Sequence, residues 1–532
     1  MWFSSQRTVV GTLIRLPRNL RSDSLSHPKP LTISEWFHQE TKYDRRTINL
    51  LPQPDFDGQP PPWKQWHSRH PVDLVPYLPF EDFPLGPAED QEPLDPRSLS
   101  EEVRAISRTL FFTCGATGFQ QTPEGTQIFR AAPSAGALYP TEVMVVLRDI
   151  GGLRDGVYAY SVPHHQLVLL YEGVEMEELA AACWNDPVFE DSKICVVLSA
   201  LWQRSRWRYH DRAYRRVLLD TGHVLGNLVH AAGHEGYQAK VLTRFVDARL
   251  QSLLFLNAEE EGVLAVVPLV PWQSGGGLTS MGSEREEVRA SATQRLSAPP
   301  TEDAIVALHQ AGVLIDESPQ IEMSSESLSE ENDDRSELLS QTMSDLSGEF
   351  CSLAVQRRST RQFTGASVEM ADLERVLDFS HRFLRSGSAP LLGAGPLLDV
   401  HCLTLRVRGV DSGHWIYCED KHQLKLRKEG DHRRSLQEFC LGQELAVDAA
   451  AAVIYSAPLS AAAECWGDRI YRDLHMDSGF LGHQINLACM RMNLGVSGIA
   501  GFFDDALGKF LGLPDDHIVT YITLIGDPMV GG

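Results

Sequence analysis

Two segments of this chain, 259 positions apart (486 − 227), run through the same elements in the same order. Asn227 opens NLVHAAGHEG and reaches Gly236 nine positions on; Asn486 opens NLACMRMNLG and reaches Gly495, also nine on. A short strand and an acidic turn follow each glycine, FVD at 245–247 and FFDD at 502–505. A Leu-rich segment comes next, LLFL at 253–256 and KFLGL at 509–513, then an apolar strand, VLAVVPL at 263–269 and IVTYITLIG at 518–526. Any one match is within chance, but four in one order mark a duplicated unit.

Residues 317–349 separate the copies: they are Ser- and acid-rich, poor in large apolar side chains, and read as a solvated linker. Gly275 to Gly277 and the Pro299-Pro300 pair are softer breaks that end the first half. The expected division is an N-terminal arm (1–96), a first domain (97–300), a linker (301–349) and a second domain (350–532). With 532 residues and 43% hydrophobic content, the chain can bury a core in each half.

Acidic residues lead basic ones, 71 to 48, for a formal net charge of −23, which argues against nucleic acid as a partner because phosphate binding needs clustered Lys and Arg. The nine cysteines are scattered, odd in number and free of any CxxC pair, so they read as reduced thiols in a cytoplasmic compartment. No apolar run approaches the roughly 20 residues that span a bilayer, so no membrane partner is expected. Met1 to Arg21 carries Arg7, Arg15, Arg18 and Arg21 and no acid, compatible with an organelle transit peptide or a plain N-terminal extension.

Up to about Pro96 the chain is rich in Pro and aromatic residues (Pro60, Pro61, Pro62, Trp63, Trp66, Pro71), which predicts an extended arm wrapped on the core rather than a helix. A helix is predicted over 99–110 behind Ser100 and Glu101. Strands are predicted over 143–147, 157–160, 167–170 and 195–199, with a helix over 175–184 and a long one over 213–234. Strands and helices mixed in this way give an α+β layer structure.

Three short motifs carry candidate chemistry. RAAPSAGALYP at 130–140 is a turn of Pro, Gly and small residues that leaves backbone open to a flat ligand. QRRSTRQF at 356–363 crowds Arg357, Arg358, Ser359 and Arg361 into five positions, and guanidinium forks match phosphate oxygens; a basic surface patch is the bland alternative. GIAGF at 498–502 is a glycine loop. Together they resemble the signature of SagB/ThcOx-type dehydrogenases, within the nitroreductase-like FMN flavoproteins; FHQETKY at 37–43 and QPPPW from Gln59 resemble the leader before the flavin core.

The resemblance implies two tandem nitroreductase-like domains, each a central sheet flanked by helices, forming an intrachain pseudo-dimer and so a monomer that supplies its own partner. It also implies roles. Arg357, Arg358, Ser359 and Arg361 would take the FMN phosphate and ribityl chain; Pro133, Ser134, Ala135 and Gly136 would line the ring; Ala500 and Gly501 would approach flavin N5. Each half has lost what the other keeps: YDRRTI at 43–48 is at best a remnant of the phosphate motif, SAPLLGAGPLLD from Ser388 has lost the turn, and Arg244 stands where Gly501 would be. One composite FMN site per chain is therefore expected, with the other degenerate.

QRSRWRYHDRAYRRVLLD at 203–220, then GHVLGN, resembles the substrate-side segment of the same family. Tyr209 keeps the tyrosine of its Lys-Tyr pair, Arg208 replaces the lysine, and Arg212, Tyr214, Arg215, Asp220, Gly222 and His223 keep the rest. Tyr209, Arg208, Arg212 and His223 are the catalytic candidates, although a guanidinium, with its pKa above about 12, is a poor base at neutral pH. The same arginines could simply pair with surplus acids between domains. His223, His230 and His234 share a helix face, but HxxxH without the Glu of a zinc hydrolase reads as core or interface histidines rather than a metal site. No Walker loop, GxSxG or post-strand GxGxxG is present.

The expected function is FMN-dependent hydride transfer with a small or peptide-derived substrate, with NAD(P)H or oxygen as co-substrate. The alternatives are an NAD(P)H-dependent nitro or quinone reductase and a flavin-free scaffold for a biosynthetic enzyme.

Overall fold

The computed structural model describes residues 30–322 and 348–529, apart from 55, 57, 67–70, 81–99, 123–124, 174, 273–286, 294, 386–396 and 419–420. The readings made on Met1 to Arg21, on Gly275 to Gly277, on most of the acidic linker and on the segment from Ser388 lie outside these residues. Each half builds one antiparallel sheet, and the two sheets share a strand order. In the first the order is Val72–Asp73, Gln166–Glu172, Gly156–Ser161, Thr141–Leu147, Ile194–Leu201, Glu261–Pro271, Tyr237–Ala239. In the second it is Gln423–Glu429, Gly413–Cys418, Asp399–Thr404, Ala451–Pro458, His517–Gly526, Gly495–Ile499. The first thus repeats the second with the short Val72–Asp73 strand added at its edge. All seven residues of Thr141–Leu147 are buried, so this strand is covered on both faces, which explains an unbroken apolar run where a one-sided sheet would alternate.

The long predicted helix forms as Ala213–His234, and its counterpart is Ile470–Arg491; these two core helices pack on each other between the sheets. Their contact depends on matched glycines. A Cβ on Gly222 would fall 2.1 Å from the Met476 carbonyl oxygen, and one on Gly479 would fall 2.2 Å from that of Leu219. The backbones therefore meet directly, as they can only where no Cβ intervenes. Polar side chains fill the rest of the seam: His483 Nε2 meets Asn227 Oδ1 at 2.7 Å, and His230 Nε2 meets Gln484 Oε1 at 2.7 Å.

The structure corrects the register of the repeat. Gly222 and Gly479 are 257 apart (479 − 222), as are the starts of the two helices, and on that register Tyr214, Arg215, Asp220 and Gly222 match Tyr471, Arg472, Asp477 and Gly479. Asn227 matches Gln484, not Asn486. The second half has two more residues between helix end and glycine, so aligning on the glycines slips the helices by two.

Two further expectations change. The arm includes a helix, Ile33–Glu40, begun by a capping box in which the Thr32 side chain accepts from Glu35 N–H and the Glu35 carboxylate accepts from Thr32 N–H. That box outweighs the Pro-rich context, and its helix packs by Phe37 edge-on against Tyr214 and Tyr471, one from each core helix. The segment expected as linker begins with an ordered helix, Ala304–Ala311, capped by Asp303 and packed on the arm helix, followed by strand Gln320–Glu322 paired with Glu287–Arg289. The predicted helix after Ser100 is Glu101–Cys114, with Ser100 at its N-cap position but making no side-chain cap bond.

Candidate active site

The turn 130–140 follows a hairpin, Ala116–Thr122 with Gly125–Arg130, and holds three consecutive or near-consecutive left-handed residues: Gly136 (φ 66°), Ala137 (φ 54°) and Tyr139 (φ 49°). Non-glycine residues adopt such values only where surroundings impose them. Asp220 anchors the start of this turn. Reaching from the first core helix, its carboxylate accepts from Ser134 Oγ at 2.5 Å and from Ala135 N–H at 3.1 Å, while Ser134 Oγ in turn accepts from Tyr139 N–H at 2.9 Å. Burial raises the Asp220 carboxyl to about 7 even against the opposing pull of Ser134, Ala135 and Arg216.

The second half reaches this turn through Arg357. Its guanidinium is buried and donates through Nε to the Ala131 carbonyl at 2.7 Å and through Nη2 to the Arg130 carbonyl at 3.3 Å, with Nη1 3.5 Å from Ser359 Oγ. Burial brings its pKa down to about 10, where it still holds its proton at neutral pH. Arg358 turns the other way, donating to the Thr117 carbonyl at 3.2 Å and stacking over Phe129 at 5.0 Å, so it fastens the hairpin. Arg361 is exposed. Thr360 pairs with Val496 at the edge of strand Gly495–Ile499, which ties this motif to the glycine loop.

The loop at 500–501 is held by Arg212. That arginine, expected on the substrate side, is buried: it donates to Asp504 at 2.6 Å, to the Thr41 carbonyl at 2.9 Å and to the Ala500 carbonyl at 3.4 Å. Arg215 also donates to Asp504, at 2.7 Å, and to the His38 carbonyl at 2.7 Å. Arg212 therefore positions the loop. The other half repeats the arrangement with Arg469 and Arg472 on Asp247, each again 257 positions from its counterpart (469 − 212, 472 − 215, 504 − 247). The two buried clamps are thus part of the fold in both halves.

Around the turn and loop stand Tyr209, Arg208, Arg216 and Tyr43. Gly136 has no room for a side chain, since a Cβ there would fall 2.7 Å from Tyr209 Oη and 3.2 Å from Arg208 Nη1. A Cβ on Gly501 would fall 3.3 Å from Arg216 Nη2 and 3.8 Å from the Tyr43 ring. Arg216 lies 4.0 Å over the Tyr209 ring. Tyr209 ends the short helix Gln203–Tyr209, and the next residue, His210, takes φ 51° and ψ −146°, a glycine-like conformation; Gly467 takes that place in the other half. Burial raises the Tyr209 phenol above its ordinary value, with Arg216 and Arg208 opposing the rise.

His223 lies deeper. Its Nε2 meets Tyr521 Oη at 3.0 Å, its Nδ1 is 3.5 Å from His483 Nδ1, and burial lowers it to about 3, so it is neutral. Tyr521 fills the space beside Gly498, where a Cβ would fall 1.8 Å from its hydroxyl, so His223 reaches the loop through Tyr521. Tyr43, the first residue of YDRRTI, stacks under Arg212 at 4.2 Å and donates its backbone N–H to Asp504 at 2.9 Å. Arg244, at the place of Gly501, pairs with buried Asp473, at the place of Arg216. Sequence reading missed Arg216 and Tyr43; comparing the halves at a spacing of 257 would have exposed the first.

The chain is thus a duplicated α+β protein that gathers motifs of both halves around one pair of glycines. The description of the nitroreductase family matches residues 90–269 and 354–527, most of the chain, and the protein belongs to that family, in tandem form. A protein of Anabaena variabilis ATCC 29413 classed as a nitroreductase superposes with a TM-score of 0.76 at 32% identity, covering 94% of this chain and 100% of that one, so the tandem arrangement is shared. MJ1384 of Methanocaldococcus jannaschii, likewise classed as a nitroreductase, is 30% identical over 152 residues, 29% of this chain and 73% of that protein. The trifolitoxin-processing protein TfxB of Rhizobium leguminosarum bv. trifolii is 27% identical over 216 residues, 38% of this chain and 57% of TfxB. The SagB/ThcOx-type resemblance stands with these. Among the described residues no helix is long and apolar enough to cross a membrane.

Proposed function

We propose that this chain is an FMN-dependent oxidoreductase with one flavin per chain, held across its two halves, acting on a small or peptide-derived substrate. The observation that carries this reading is the bond from Arg357 of the second half to the Arg130 and Ala131 carbonyls, which brings the two complementary motifs into one place. The residues present fit the cofactor in kind: Gly136 and Gly501 put no side chain of their own between backbone and a flat ring, the groups over them are the side-chain ends of Tyr209, Arg208, Leu441 and Arg216, and the buried Arg216 Nη1 has no hydrogen-bond partner among the described residues. Arg361, Ser359 and the Nη1 side of Arg357 would hold the phosphate; Pro133 to Gly136 and Ala500 to Gly501 would hold the ring. FMN, when bound, supplies a hydride acceptor and donor.

The chain's own work is to orient and to move a proton. Asp220 fixes the turn, Arg212 fixes the loop, and the Tyr209 hydroxyl, over Gly136, is placed to give or take the proton that accompanies hydride. Similarity to a toxin-processing protein supports a peptide-derived substrate, with oxygen or NAD(P)H as co-substrate. Arg208 in place of lysine favours a second reading, an NAD(P)H-dependent nitro or quinone reductase, because it removes the amine base of azoline oxidation.

The test is the flavin content of the purified chain, by absorbance and identity of the released cofactor, for wild type, Arg361→Ala and Arg358→Ala. One FMN per chain, weakened at least about tenfold in Arg361→Ala as expected for a lost phosphate fork, supports the reading. Arg358→Ala is expected to loosen the hairpin with a smaller effect on binding. No FMN after reconstitution would leave the scaffold reading, and two per chain would contradict the single composite site proposed here.

A further inference from the structure

We infer that Arg216 is the positioning residue of the proton-transfer step: its guanidinium, stacked on the Tyr209 ring, stabilises the phenolate left when Tyr209 gives up its proton. The inference rests on the reading of Tyr209 above. Three independent observations support it.

The first is placement. Arg216 is buried, 4.0 Å over the Tyr209 ring and 5.7 Å from the Tyr43 ring, and its Nη2 is 3.5 Å from Tyr43 Oη. A cation over an aromatic face is attracted to the neutral ring, and more strongly once that ring carries a full negative charge.

The second is its lack of a counter-ion. Arg212 and Arg215, on the same helix, are neutralised by Asp504, whereas no ion pair reaches Arg216 and its Nη1 is unpartnered among the described residues. A buried guanidinium without an ion pair is costly, and the long contact to Tyr43 Oη does not neutralise it, so its placement calls for a reason other than stability.

The third comes from the duplication. Positions that the fold needs are the same in both halves: Arg212 and Arg469, Arg215 and Arg472, Asp504 and Asp247, Gly222 and Gly479. Arg216 instead faces Asp473 across the repeat, Tyr209 faces Trp466, Arg208 faces Cys465 and Gly501 faces Arg244. These four differences cluster in one place, and in the other half the acid at this helix position is accommodated and paired. The helix therefore does not require a cation at 216; the Tyr209 site does.

Four groups face the Tyr209 hydroxyl electrostatically: Arg216 and Asp220 from the core helix, Arg208 from its own helix and Tyr43 from the arm. The two guanidiniums favour the phenolate; Asp220 and Tyr43 disfavour it. In the reductive direction, with bound FMN supplying the hydride, the Tyr209 O–H bond would break, its proton would join the substrate atom next to the one that takes up hydride, and the phenolate would rest between Arg208 and Arg216. Oxidation runs the same exchange in reverse.

The test is the ionisation of Tyr209, read as the difference in phenolate absorbance between matched proteins with and without Tyr209→Phe, in the wild-type, Arg216→Met and Arg216→Lys backgrounds. Arg216→Met keeps the volume and removes the unpaired charge, so the fold should persist. It is expected to raise the Tyr209 ionisation by at least about one pH unit, the scale for an opposite charge within 4–6 Å, and to move the pH profile of turnover with it; Arg216→Lys should recover most of the shift. An ionisation unchanged in Arg216→Met would overturn the inference, and so would loss of fold in both variants, which would make Arg216 structural. Full activity in Tyr209→Phe would instead refute the role given to Tyr209 while leaving the measured coupling in place.

Discussion

Asp220 shows how one side chain sets both the shape of the site and its response to pH. The carboxylate holds Ser134 and Ala135, yet burial raises its pKa to about 7 from an ordinary 3.8. A raised folded-state pKa means that the native chain binds a proton the unfolded chain has already released. Stability from this group is therefore full at pH below about 4 and declines as pH rises to about 7. Asp220→Asn removes the titration and one acceptor. The stability difference between wild type and this variant, measured by denaturant unfolding across that range, should shrink with rising pH; a pH-independent difference would show that Asp220 is not perturbed in this way. The sequence marked Asp220 and the PSAG turn separately but could not join them, because they are 86 positions apart and only the helix direction brings them together. Arg216 was hidden for another reason: in a run of arginines, RAYRR, nothing local says which guanidinium is paired with an acid and which is not.

At the scale of elements, the core helices are held by contact that tolerates no added atom. Gly222→Ala places a methyl against the Met476 carbonyl and the Phe480 amide, backbone that cannot move aside, and should destabilise by about 3 kcal/mol or more. Gly508→Ala, inside helix Asp504–Leu511, meets only Leu513 at 3.9 Å and should stabilise by about 0.5–1 kcal/mol through helix propensity. Opposite signs in chemical denaturation would support the close crossing; equal effects would refute it. The elements themselves were readable where pattern and length agreed, as in the 22-residue helix Ala213–His234 and the strand Thr141–Leu147. The arm helix was missed because proline density around it masked a Thr-x-x-Glu box, and the hairpin before the PSAG turn because its polar residues, such as Gln120 and Gln121, gave no alternating pattern.

Across the whole molecule the duplication was legible but its register was not, since glycines drew the alignment two residues away from the buried tyrosine, arginine and aspartate that the helices share. Correct register turns the two ion clamps into a matched experiment. Asp504 takes Arg212 and Arg215; Asp247 takes Arg469 and Arg472, and all six side chains are buried. Burial alone would raise the Asp504 carboxyl, but the Arg212 and Arg215 guanidiniums overcome it and hold the group below its ordinary value. Replacing either aspartate by asparagine leaves two buried guanidiniums short of a counter-charge, and breaking a buried pair costs about 3–5 kcal/mol. Asp504→Asn and Asp247→Asn should therefore lower thermal stability by similar amounts. Each clamp also holds a loop carbonyl, Arg212 that of Ala500 and Arg469 that of Thr243, but the two variants should differ in function, because the first loop continues into Gly501 whereas the second continues into Arg244, which pairs with Asp473. Flavin retained per folded chain should fall in Asp504→Asn and stay near wild type in Asp247→Asn. Equal loss in both would mean that flavin content follows global stability alone, and that the halves do not divide the work as their residues imply.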